Sequence, residues 1–224
     1  AAHTYGETAI AVGEAVGEEA DLRAGSQLLV RLSAFKQAAS DKSRDDLNAA
    51  LTKRTTFPGV DLITFFAADS VMHYDFDKGS WKKAAASAAL GETLASQGGG
   101  AYLLPSFRFG LYKSVAAYLD QRKVEPYKQL MALQWRLREA INAAPSDEAA
   151  EDLVQLFWGV KAWAISLHTH LSNRQKLRAE DDEEIRSEAL SKDSPADRIA
   201  RLQGVHEPDD PCQTRIIFGR KPSY

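Results

Sequence analysis

The chain carries a single cysteine, Cys212, in 224 residues. An intrachain disulfide is excluded, and cysteine usage does not identify a redox compartment. Charge-free apolar runs of roughly 18 residues are missing, so a transmembrane segment is not expected. The nearest approach, residues 153–171, contains Lys161, Gln155 and two histidines behind an acidic entry. That pattern suits a buried helix, with peripheral membrane association only through a complex. Excess charge of one sign is also absent: the net charge is −3. No strongly basic surface advertises nucleic acid. Glycine and proline are few, with 14 and 8, which leaves long stretches free to be helical.

Motifs that carry chemistry are missing as well. The five histidines are His3, His73, His168, His170 and His206. His168 and His170 are two apart on a helix and point about 200° apart, so they do not share one metal. Neither HExxH nor the Glu-x-x-His of di-iron bundles occurs. His168 reads as a hydrogen-bonded packing residue and His170 as a solvated one. No GxSxG is present. Cys212 follows Asp209, Asp210 and Pro211, and acidic neighbours disfavour a reactive thiolate. Gly98-Gly99-Gly100 lacks the Lys-Ser/Thr of a phosphate loop and reads as a hinge. Asp75 and Asp77 have a calcium-like spacing, but Lys78, Lys82 and Lys83 oppose it and position 86 is alanine. No cofactor and no metal site is expected on these grounds.

What is present is helical periodicity, strongest over residues 146–171. Ser146 is the candidate N-cap. Asp147, Glu148, Glu151 and Asp152 place negative charge at the end where the helix dipole favours it. Leu153, Leu156, Phe157, Val160, Trp163, Ala164, Leu167 and Leu171 then form one face of a 3.6-residue repeat. A second stripe, Val154, Trp158 and Ile165, lies about 100–140° around. A helix apolar most of the way round is buried or shared, so this stripe is either a second core layer or a partner surface.

Other helices are expected over 4–20, 25–39, 43–54, 80–96, 107–121 and 126–143. The first is weakened by Gly6, Gly13 and Gly17. Ser43 is the N-cap candidate of the third and Ser80 of the next. Residues 60–73 mix strand propensity with a helix face of Leu62, Ile63, Phe66 and His73, and are assigned to helix. Tyr74 to Gly79 reads as a polar loop, and 98–107 as the longest irregular link. After Leu171 the composition turns highly charged over 172–192, followed by a short helix at 196–202. The tail from His206 holds three prolines and no periodicity. Its Ile216, Ile217 and Phe218 are costly to leave in water, burial being worth roughly 1.5–3 kcal/mol each.

These features predict an all-α fold: an antiparallel helical bundle-like body over 1–171, then a charged segment and an extended C-terminal arm over 172–224. They favour a non-catalytic accessory or scaffolding subunit of a larger protein assembly, with no nucleic acid partner. Val154, Trp158, Ile165, Ile216, Ile217 and Phe218 are the candidate partner interface. Ala1-Ala2-His3 at the start fits a processed organellar or exported protein, hence an organelle or cell-envelope complex, and fits a chain boundary equally. The aromatics Trp81, Trp135, Trp158, Trp163, Phe65, Phe66, Phe107, Phe109 and Phe157 support an alternative, a helical binding protein for a pigment, quinone or lipid. A third reading is an enzyme whose acids, such as Asp69 or Asp75, are assembled only by the fold.

Overall fold

The structure, a computed structural model, describes residues 20–56, 62–97 and 102–175. Among them there are seven helices and no strand: α1 (Ala20–Gln37), α2 (Asp41–Arg54), α3 (Leu62–Asp77), α4 (Trp81–Gln97), α5 (Leu103–Gln121), α6 (Glu125–Ala143) and α7 (Asp147–Gln175). The fold is all-α and bundle-like. The expected helices at 4–20 (save Ala20) and 196–202, the charged run beyond Gln175 and the C-terminal arm lie outside the described residues.

The chain divides into two compact units, residues 1–109 and 110–224, with the division inside α5. In the first unit, α1 packs on α2 and α3, α2 on α3, and α3 on α4. In the second, α6 packs on α7. Links of three residues join α1 to α2, α3 to α4 and α6 to α7. Such short links make helical hairpins.

Local chemistry explains several helix ends. The N-cap of α2 is Ser40, not Ser43 as the spacing predicted. Ser43 is the third helical residue, and the two serines exchange backbone and side-chain hydrogen bonds in a capping box. The helix therefore starts at Asp41, whose charge suits that end. Ser146 caps α7 as expected, its Oγ accepting from the Ala149 N–H at 3.1 Å.

Two loop predictions are corrected. Tyr74 to Asp77 continue α3, and Tyr74, Asp75 and Phe76 each meet a neighbour there. The Tyr74 ring meets Phe35 edge-on at 5.5 Å and its hydroxyl donates to Asp41. Asp75 is paired with Arg44, and Phe76 meets Trp81 at 5.1 Å. The turn comes at Gly79, whose φ of +70° favours glycine. At the other link, α5 starts at Leu103 rather than Phe107. Pro105 sits in its first turn, where the missing N–H has no helical acceptor to lose.

The inward face of α3 also differs from the predicted one. Phe65, Ala67, Ala68, Val71 and Met72 are buried, whereas Leu62 and Phe66 are 60% and 54% exposed. Residues 62–68 are apolar nearly all round, so periodicity does not decide which side turns in. In α7 the whole Leu153–Leu171 stripe is buried. Its eight positions at 3–4 spacing mark that face unambiguously.

Candidate functional site

A recess lies in the first unit, between α3 and the start of α5. It is open to solvent and encloses about 170 Å³. Phe65, Phe66, Tyr102, Leu104 and Phe109 supply most of its wall, with Leu62 at the mouth. Phe65 and Tyr102 stack, with centroids 4.5 Å apart and planes at 27°. This pair joins segments 37 positions apart in the chain, which is why no local pattern announced it. Gly91 of α4 lies directly behind, with the Phe109 ring where a Cβ would be. Glycine at that point lets α4 approach the ring closely.

The recess has one charged corner, made by Asp69 and Arg108. His73 lies one turn beyond Asp69. Its Nδ1 is 2.8 Å from the Asp69 carbonyl oxygen and 3.3 Å from the Asp69 carboxylate. Burial alone would push the Asp69 pKa up. The hydrogen bond and charge of His73, with Arg108 and Lys36 adding charge, outweigh it and hold Asp69 below its ordinary value. Burial alone would push His73 down, but Asp69 outweighs it and holds the imidazole above its ordinary value. The pair therefore favours its ionised form at the edge of an apolar chamber.

Asp75, the other acid singled out in the sequence, is not at this corner. It is buried among α2, α3 and α4, where Arg44 and Ser87 donate to it. It belongs to a helix, not to a cation-binding loop. Among the described residues no cluster of three or more His, Cys, Asp and Glu has metal-ligating geometry.

The predicted partner stripe falls in the second unit. Val154 and Trp158 are buried there, so at these two positions the stripe is a second core layer. Ile165 is 55% exposed. Ile216, Ile217 and Phe218 lie outside the described residues. Trp158 is packed edge-on to Phe157 at 5.5 Å, with the Lys161 ammonium over its ring at 4.4 Å. Its indole N–H has no acceptor among the described residues. His168 is half-buried and faces Tyr127 at 6.1 Å, in keeping with a packing role.

Three arginines escaped the sequence reading: Arg44, Arg108 and Arg138. Arg138 was detectable in principle. With Tyr127, Leu130, Met131, Gln134, Leu137 and Ile141 it shares the inward 3–4 spacing of α6, and all seven are buried. Comparison of the chain with family models, with curated proteins and with solved structures gives no match.

Proposed function

We propose that this chain is a non-catalytic subunit of a protein assembly, and that the recess of the first unit receives an apolar segment of a partner. One observation carries this reading. Of the large apolar side chains left exposed, Leu62 and Phe66 lie on the recess itself, and Leu103, at 39%, adjoins the recess residue Leu104. Three of the five large apolar side chains left exposed among the described residues thus gather at this recess, the other two, Trp135 and Ile165, belonging to the second unit, and such a gathering marks an interaction surface. Covering Leu62 and Phe66 would contribute about 1.5–3 kcal/mol for each fully buried side chain.

A second reading has its own observation. A recess with apolar walls and the charged corner of Asp69 and Arg108 also suits one end of a hydrophobic small molecule that carries a polar group. A pigment, a quinone or a lipid has that chemistry.

Native mass measurement of the protein purified from its source separates the two. The assembly reading expects a species well above the 24.6 kDa of the chain. It also expects Phe66→Asp to release the chain as a folded monomer. A wild-type monomer without a bound molecule would refute both readings. A monomer carrying a small apolar molecule would leave only the second.

A further inference from the structure

Among the described residues, Arg138 of α6 is a buried cation without a counter-ion. It is 9% exposed, and its Nε has no hydrogen-bond acceptor among the described residues. Its guanidinium contacts are with rings instead, 5.5 Å from the Trp135 centroid and 5.6 Å from that of Phe157. Burial, with no carboxylate to oppose it, holds its pKa below the ordinary value. Charges are seldom buried unless paired, and ring faces replace only part of the lost hydration.

The surroundings of Arg138 give this a direction. Trp135, one turn earlier, is 50% exposed. Met131, Gln134, Trp135 and Arg138 line a narrow recess that encloses only about 10 Å³ and opens to solvent. Their spacing of 3, 1 and 3 puts them on one face of α6. A half-exposed tryptophan beside an arginine that lacks an acceptor has the composition of an interface hot spot.

We propose that the Trp135–Arg138 face of α6 is a docking anchor for an acidic side chain of a protein partner. The partner's carboxylate supplies the counter-ion that Arg138 lacks among the described residues, and the chain flanking it covers Trp135. Charge complementarity selects the occupant. Arginine is donor-only, and a carboxylate accepts from it along two parallel hydrogen bonds. The narrow recess encloses too little of a free organic acid to offset its lost motion, whereas a partner brings further contacts of its own. This names partner chemistry within the assembly reading, at a surface separate from the recess of the first unit.

The test uses the full chain, ¹⁵N-labelled, and follows the Arg138 Nε–H and Trp135 indole N–H resonances. The probe is the peptide N-acetyl-Leu-Glu-Leu-amide, with its Gln counterpart as the control. The expected result is a saturable shift of both resonances with the Glu peptide. The Gln peptide should bind at least about tenfold more weakly, as loss of a charge-assisted hydrogen bond requires. Trp135→Ala changes an exposed side chain and should leave the fold intact while weakening Glu-peptide binding several-fold. Arg138→Gln should abolish the difference between the peptides.

Equal response to the two peptides would overturn the proposal. So would no saturable shift up to roughly tens of millimolar, where even weak anchors register. A third outcome concerns the chain's own acidic run, Glu180 to Glu184. If neutralising those five side chains moves the Arg138 resonance without peptide, the counter-ion is intramolecular and the proposal falls. The titration reads one surface and the native mass reads assembly, so failure of either leaves the other result interpretable.

Discussion

Arg44 and Asp75 form a buried pair that ties α2 to α3. The Arg44 Nε donates to both carboxylate oxygens of Asp75, at 3.0 and 3.2 Å, and Nη2 makes a further bond to Oδ2. Arg44 also reaches Asp45 through Nη1 at 2.9 Å, and the Ser87 hydroxyl of α4 lies 3.4 Å from Asp75. Burial alone would lower the Arg44 pKa, but its bonds to Asp75 and Asp45 outweigh this and raise it. Three helices therefore meet at one carboxylate.

Removing one partner should be costly. Arg44→Met leaves Asp75 buried without its counter-ion, and the expected loss is about 3–5 kcal/mol. The double change Arg44→Met with Asp75→Leu should recover most of that loss, because apolar replacements of a buried pair are often neutral. Urea unfolding of the two variants is the check. A single variant within about 0.5 kcal/mol of wild type, typical of surface changes, would mean that the pair is not held as described.

Gly91 sets a second expectation, on packing behind the recess. A methyl group at this position collides with the Phe109 ring, itself buried. Overpacking costs about 1–3 kcal/mol, while alanine gains about 1 kcal/mol of helix propensity over glycine. Gly91→Ala should therefore be neutral to destabilising, by up to about 2 kcal/mol on those two figures. Adding Phe109→Leu should relieve the strain. Thermal unfolding of both variants decides the matter: a gain in stability from Gly91→Ala alone would show that the ring yields freely.

The Asp69–His73 pair predicts a pH dependence whose sign follows from the two shifts. The His73 pKa is raised in the folded state, so its contribution is full below the unfolded value and is lost as pH rises through the folded one. The Asp69 pKa is lowered, so its contribution is present above the unfolded value and is lost as pH falls through the folded one. Between about pH 4 and pH 6.5, the unfolded values, both contributions are present. Both side chains are about one-third exposed, so solvent screening keeps the effect small. The stability difference between wild type and His73→Gln should be larger at mildly acidic than at mildly alkaline pH. A difference that grows with rising pH would contradict the pairing.

How much of this was legible beforehand varies with how local its cause is. The Leu153–Leu171 stripe of α7 is readable because eight apolar residues recur at unbroken 3–4 spacing, and Ser146 marks the helix start by a cap that depends only on neighbouring residues. The helical course of Tyr74, Asp75 and Phe76 is not, because their partners are set by the fold: Phe35 and Asp41 for Tyr74, Arg44 for Asp75, and Trp81 across the turn for Phe76. The pattern predicts Phe66 inward and it lies outward, since residues 62–68 of α3 offer apolar side chains in nearly every direction. The recess depends on Phe65 meeting Tyr102 and on Gly91 admitting Phe109, pairings that no period of two or 3.6 encodes.

Trp158 and Trp163 test the remaining sequence expectation. The second stripe of α7 made Trp158 a candidate partner contact and Trp163 a core residue. Both are buried to the same degree, each 7% exposed. Trp158→Ala and Trp163→Ala should therefore destabilise the chain alike, by about 3–5 kcal/mol. The two differ in one respect: the Trp158 indole N–H is buried without an acceptor among the described residues. Leaving a donor unsatisfied costs about 1–3 kcal/mol, a cost that Trp158→Phe removes while keeping a ring against Phe157. That change should be far milder than Trp158→Ala in chemical unfolding of the isolated chain. A Trp158→Ala variant as stable as wild type, yet unable to enter the native complex, would restore Trp158 to the partner surface.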